Sequence, residues 1–287
     1  MIWPVRVGIA TGQNQTWETM VERWRLYEEL GFDSLWDFDH FTQPSQPEAP
    51  FYDGWTLLAA LAASTQRVRL GVLVTCNTFR HPSLVAKIAV TVDHVSRGRL
   101  DLGLGAGNYE PEHRMFGLDF PPTGERVSRF GEAVELLDLL LRNDVTTWSG
   151  RHYRVEEARF RPRPLQRPRP PFVIGAKMPR MLRVCAVHGD VWNAGVSSAA
   201  EVAEMTELLT EQCRAVGRDP GEIRHSVYYM TSRLKPDPWS SADAFEDVLG
   251  RYREVGIDEF IVDPAPDDRL GVMERVAAEL LPKHRAG

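Results

Sequence analysis

Residues 68–108 read VRLGVLVTCNTFRHPSLVAKIAVTVDHVSRGRLDLGLGAGN, and this stretch decides the fold. Residues 68–74 are apolar with almost no alternation, the pattern of a strand covered on both faces. After a polar break, His81-Pro82 opens a helix, where the missing N–H of proline costs nothing. The helix continues through Ala86, Lys87, Ala89, Val90, Asp93 and His94 and stops at Ser96-Arg97-Gly98. A second buried strand over 100–104 ends in Gly105-Ala106-Gly107. The unit is strand, helix, strand, and its glycine turn lets a ligand phosphate approach backbone N–H groups. It points to an α/β enzyme built around a phosphate-bearing cofactor.

The same alternation extends in both directions. Strands are expected over 5–10, 34–37, 171–175, 191–195, 223–229 and 259–262. Helices are expected over 16–30, 55–63, 125–142, 180–187, 199–216, 242–255 and 270–281. The first helix is capped near Gln15-Thr16 and stopped by Gly31. The fourth, over 125–142, carries Val127, Phe130, Val134, Leu137 and Leu141 on one stripe. Eight strand–helix pairs fit a single (β/α)8 TIM barrel over 1–287. A doubly wound open sheet would carry its glycine fingerprint after the first strand, where Gly8-Ile9-Ala10-Thr11-Gly12 matches poorly. One insertion, over 143–170, separates the fourth helix from the fifth strand. Within it, 146–148 and 151–155 flank Ser149-Gly150 and read as a hairpin, packed on the barrel or a partner subunit, or a surface decoration. The Arg-Pro run at 160–170 reads as a rigid loop.

Composition narrows the function classes. A net charge of −6 offers no basic face for nucleic acid. Cys76, Cys185 and Cys213 have no paired spacing, which argues against a disulfide framework or a zinc site and for a reducing compartment. No apolar run reaches the ~18 residues of a membrane span. Met1 leads straight into the first strand without a charged leader, so a cytoplasmic protein is expected.

Active sites of such barrels lie at the C-terminal strand ends. His40, just after strand two, is the best acid or base, since imidazole exchanges protons near neutral pH. Asp39 precedes it and either orients the loop or meets the cofactor. Other polar candidates are Gln13, Asn14, Thr75, Asn77, Thr78 and Asn108. Cys76 lies just past a strand end and reads as a small buried residue. Glu112-His113 reads as helix-edge packing. No metal-ligand spacing and no nucleophile elbow occurs, so the hard chemistry is left to an organic cofactor. Phe41, Phe51, Tyr52, Phe79 and Tyr109 form an aromatic rim that suits a planar or apolar substrate.

GFDSLWDFDHF (31–41), TFRHPSLVAKIAVTVDHVSRGRLDLGLGAGN (78–108), PLQRPRPPFVIGA (164–176) and GDVWNAG (189–195) resemble the bacterial-luciferase-like oxidoreductase superfamily. Asp39-His40-Phe41, Arg80-His81-Pro82 and FGLDFPPTGER (116–126) resemble most its actinobacterial branch that uses coenzyme F420, a deazaflavin. The resemblance implies a ring held at the barrel mouth and a non-proline cis peptide near Leu73 and Val74. It implies that Ala106-Gly107-Asn108 binds the cofactor phosphate, helped by Gly175-Ala176-Lys177, and that His40 stands at the hydride-carrying face with Asp39 beside it. Leu73, Val74, Thr75, Gly105 and Trp192 complete the expected cofactor site. Two positions depart from the sugar-phosphate dehydrogenases of that branch. Asn108 stands where they carry a carboxylate, and Thr42-Gln43-Pro44 where they carry an aromatic residue, which argues against glucose 6-phosphate as substrate.

The expected reaction is hydride transfer between reduced F420 and a small organic molecule. Placement in line can lower such a barrier by ~7–11 kcal/mol. Lys177 and Arg180 would attract the anionic tail of the deazaflavin. Alternatives are a monooxygenase using reduced flavin mononucleotide (FMN) and a non-catalytic binder of either cofactor. The resemblance also implies a homodimer, and a separate reductase that supplies reduced cofactor.

Overall fold

The computed structural model of the protein describes residues 4–285; the expected lead from Met1 into the first strand lies outside them. Strands β1 (Arg6–Ala10), β2 (Ser34–Asp37), β3 (Arg69–Val72), β4 (Thr75–Cys76), β5 (Leu102–Gly105), β8 (Phe172–Gly175), β9 (Val191–Asn193), β10 (Arg224–Tyr229) and β11 (Glu259–Val262) form one parallel sheet. Its order, β3-β2-β1-β11-β10-β9-β8-β5-β4, begins and ends on pieces of the same stave. Bonds between Leu70 and its neighbours Arg99 and Asp101 bring β3 beside the approach to β5, and the eight staves close into a barrel. The third strand, expected unbroken over 68–74, is split, and the Leu73–Val74 peptide within the break is cis.

Around the staves lie helices α1 (Trp17–Leu30), α2 (Gly54–Ser64), α3 (Pro82–Val95), α5 (Thr123–Arg142), α6 (Pro179–His188), α7 (Ala199–Ala215), α8 (Ala242–Glu254) and α9 (Leu270–Glu279). Their ends follow from local chemistry. Thr16 caps α1 through the amide of Thr19, and Gly31, at φ 90°, ends it. His81 caps α3 ahead of Pro82. Two short helices had no expected range, α4 (Glu110–Met115) after the glycine turn, where only Glu112-His113 reads as a helix edge, and α10 (Leu281–Arg285) after α9. Six residues give too little periodicity to register in a sequence.

Strict alternation sorts the strand side chains into two layers. Leu35, Leu102, Leu104, Ile174 and Trp192 face the helices in the main core. Ala10, Trp36, Val173, Val191, Tyr228 and Ile261 fill the barrel interior. Trp36 fits there because its neighbours lack side chains: a Cβ on Gly71 would stand 2.5 Å from its ring, and one on Gly8 3.3 Å from its indole nitrogen. Burying such a side chain stabilises the barrel by about 1.5–3 kcal/mol.

The insertion between α5 and β8 carries the expected hairpin, displaced and longer, as β6 (Val145–Ser149) and β7 (Arg154–Arg159). It packs on its own barrel. Glu132 of α5 accepts from the amides of Arg151 and His152, and Asn77 donates to the Tyr153 hydroxyl. The Arg-Pro run is held rigid by its guanidinium groups. Arg169, stacked 3.4 Å from the Phe172 ring centroid, pairs with Asp138 and Asp190.

Candidate active site

The C-terminal ends of the staves gather almost every residue expected there. The loop after β2 is fixed from behind. Fully buried Gln13 accepts from the Phe38 amide at 2.8 Å and donates to the Tyr52 carbonyl at 2.7 Å. Asp39 turns into the protein. Both its oxygens accept from Arg80 Nη1 at 2.8 Å, and Oδ2 also accepts from the Cys76 amide at 2.7 Å. Arg80 continues to Asp53, which caps α2. Burial pushes the Asp39 carboxyl up, with Arg80 pulling against it. These bonds tie the loop after β2 to Arg80 and to Cys76 in β4.

His40 points the other way. Its Nδ1 lies 2.9 Å from Oε2 of Glu112, a fully buried carboxylate on α4, and its ring meets Tyr109 edge-on at 6.2 Å. The other Glu112 oxygen accepts from the amides of Thr42, at 2.9 Å, and Phe41. Burial raises the Glu112 pKa, but the bonds from His40 and these amides outweigh it and hold the carboxyl below its usual range. An ionised carboxylate only accepts, so the imidazole carries a proton on Nδ1; in the neutral ring Nε2 is then the acceptor, and it meets no donor among the described residues. Glu112 is therefore no packing residue of a helix edge. Asn108 is exposed.

Gly107 lies at φ 83°, a left-handed conformation suited to glycine. Among the described residues, the amides of Ala106, Gly107 and Asn108 donate to no protein acceptor, which leaves three successive donors for an anion. Val74 fills the space that Gly105 and Gly175 leave: a Cβ would stand 2.5 Å from its methyl at Gly105 and 3.3 Å at Gly175. Leu73 packs on the interior cluster, and the buried Thr75 hydroxyl has no partner among the described residues. In the fifth loop, the Ala176 amide donates to the Asn193 carbonyl, and Lys177 Nζ donates to the Val196 carbonyl at 2.5 Å. Arg180 reaches the Gly124 carbonyl at 3.4 Å.

Trp192 is placed elsewhere. It is fully buried in the helix-facing layer, and its indole N–H donates to the Ala176 carbonyl at 2.7 Å. Alternation from inward-facing Val191 puts it there, so it braces the fifth loop from behind.

The luciferase-like monooxygenase family matches residues 1–237. An F420-dependent glucose-6-phosphate dehydrogenase of Amycolatopsis mediterranei is 34% identical over 85% of this chain and 80% of its own. One of Intrasporangium calvum is 28% identical over 89% of this chain and 91% of its own. Among solved structures, an F420-dependent secondary alcohol dehydrogenase superposes with a TM-score of 0.82 at 19% identity, covering 96% of this chain and 98% of that one, a likeness of fold. With a family match across most of its length, a relative above 30% identity and the expected barrel, the chain belongs to the luciferase-like monooxygenase family.

Proposed function

We propose that the protein is an oxidoreductase that transfers a hydride between coenzyme F420 and a small organic substrate. The observation that carries this reading is the His40–Glu112 pair beside a cradle of free amides. The F420-dependent relatives support the choice of cofactor.

The residues present fit the group. Three unpartnered amides suit its phosphate, and glycines at 105 and 175 leave a flat wall around Val74. Leu73, Val74 and Thr75 would lie against the ring, with the orphaned Thr75 hydroxyl free to meet a polar edge. When bound, the deazaflavin supplies the carbon that accepts or returns the hydride. The part played by the chain itself is the proton. As a carbinol carbon gives up its hydride, Nε2 of His40 takes the hydroxyl proton, and the Glu112 carboxylate stabilises the imidazolium that forms. Carbonyl reduction runs the same transfer backwards. Lys177, near the fifth loop, would attract the anionic tail.

The protein works in the cytoplasm as a homodimer of single-domain chains, with a separate reductase supplying reduced cofactor for the reductive direction. Three unpaired cysteines support a reducing compartment, and exposed Leu84 and Val95 on α3 offer a face for a second copy. Titration with F420 and with FMN, followed by tryptophan fluorescence, tests the reading. Saturable quenching by F420 is expected; tight FMN binding with no response to F420 overturns it.

A further inference from the structure

The loop that would take the cofactor phosphate rests on a closed ring of contacts. Gly107 lies directly over Thr78, and a Cβ there would stand 2.7 Å from Thr78 Oγ1 and 3.1 Å from Cys76 Sγ. Thr78 Oγ1 is 2.6 Å from Nε2 of His113, whose Nδ1 is 2.9 Å from the Tyr109 carbonyl. His113 packs 4.7 Å from the Phe120 ring, and Phe120 carries the Arg126 guanidinium 3.8 Å from its centroid. Arg126 returns to the start, with Nε donating to the Gly107 carbonyl at 3.2 Å.

With the His113 ring neutral, one set of hydrogen-bond directions satisfies every polar atom in this ring. A carbonyl only accepts, so His113 carries a proton on Nδ1. In the neutral ring Nε2 is then an acceptor, and the Thr78 hydroxyl donates to it. The Thr78 oxygen is left to accept from the Cys76 thiol, 3.0 Å away. Each polar side chain under Gly107 is held by a hydrogen bond, while the amides of 106–108 find no acceptor among the described residues.

We infer that Thr78 and His113 are positioning residues, which hold Gly107 in its left-handed conformation and keep the amides of 106–108 aimed at an anion. His113 adjoins Glu112 in the chain. Two consecutive residues of α4 thereby anchor the two working parts of the mouth, one the proton-bearing imidazole and the other the phosphate cradle. This rests on the reading of the loop as the phosphate site.

Dissociation constants of F420 and FMN, both ribityl phosphates, test the inference in four proteins beside wild type. Thr78→Val keeps the shape and removes the hydroxyl; it is expected to weaken binding about tenfold, as losing one buried hydrogen bond does. Thr78→Ser keeps the hydroxyl and is expected to stay within about threefold of wild type. His113→Phe keeps the aromatic stack and should match Thr78→Val. The double variant Thr78→Val/His113→Phe should be little worse than either single one, because the two act through one bond. A role in packing alone predicts the reverse order, with serine worse than valine. Valine binding as wild type does, or additive losses in the double variant, overturns the inference while leaving the cofactor reading intact. Failure of wild type to bind either ribityl phosphate overturns both.

Discussion

Replacing Glu112 by glutamine isolates the one contact on which proton transfer depends. The side chain keeps its size, and the amides of Phe41 and Thr42 still need an acceptor, so the new carbonyl oxygen stays with them. The new NH2 group then faces Nδ1 of His40 across 2.9 Å. Two donors cannot share that gap, so the imidazole proton moves to Nε2 and the free lone pair leaves the mouth. General acid–base catalysis contributes about 10²–10⁴-fold, or ~2.7–5.5 kcal/mol of barrier. Carboxylate-to-amide substitution behind the imidazole of a serine protease triad costs a similar ~10⁴ through the wrong tautomer. A fall in kcat of about 10²–10⁴ is therefore expected, with the cofactor dissociation constant within roughly threefold of wild type. Steady-state rates from deazaflavin absorbance give the first quantity, and fluorescence titration the second. Nitrogen-15 spectra of the ring identify the tautomer independently. A variant that keeps more than about a tenth of wild-type kcat, or keeps the proton on Nδ1, refutes the reasoning.

Gly107→Ala should weaken cofactor binding at least about tenfold and lower stability by ~1–2 kcal/mol, because a Cβ at φ 83° is strained and meets Thr78. Titration and urea denaturation check the two effects, and an unchanged dissociation constant would count against the cradle. A third prediction concerns Asp37, fully buried at the end of β2, whose carboxyl oxygens find no partner on any other described residue. Burial, then the nearby charges of Asp39 and Asp53, push its pKa well above the usual carboxylate value. The folded protein holds this proton more tightly than the unfolded chain does. Its stabilising effect is complete below about pH 4 and is lost as pH climbs toward the raised value, by up to ~1.4 kcal/mol per unit. Asp37→Asn removes that loss, so its stability relative to wild type should improve between pH 5 and 7 in urea denaturation. A difference independent of pH would show that Asp37 is ionised in the folded protein.

The fold was legible because parallel strands buried on both faces leave unbroken apolar runs, and Gly31, Pro82 and Gly98 punctuate them. The His40 loop and the glycine turn were legible as strand-end positions. Glu112 was not, because its partner lies 72 residues away and its helix is one and a half turns long. Trp192 was misassigned because it neighbours the mouth in sequence, while pleating sends alternate residues to opposite faces. The break in the third stave left no trace in composition: Leu73 and Val74 are as apolar as the strand around them.

The interlock of Val74 with Gly105 and Gly175 has a consequence for laboratory evolution of this enzyme. Three staves meet there, and the methyls of one occupy the volume the other two forgo. Scanning position 105 alone would score any added carbon as forbidden, because it would stand 2.5 Å from a Val74 methyl. Libraries that shorten residue 74 while adding a carbon at 105 would uncover permitted combinations hidden from one-at-a-time scanning. Such epistasis confines neutral drift of the cavity floor to concerted steps.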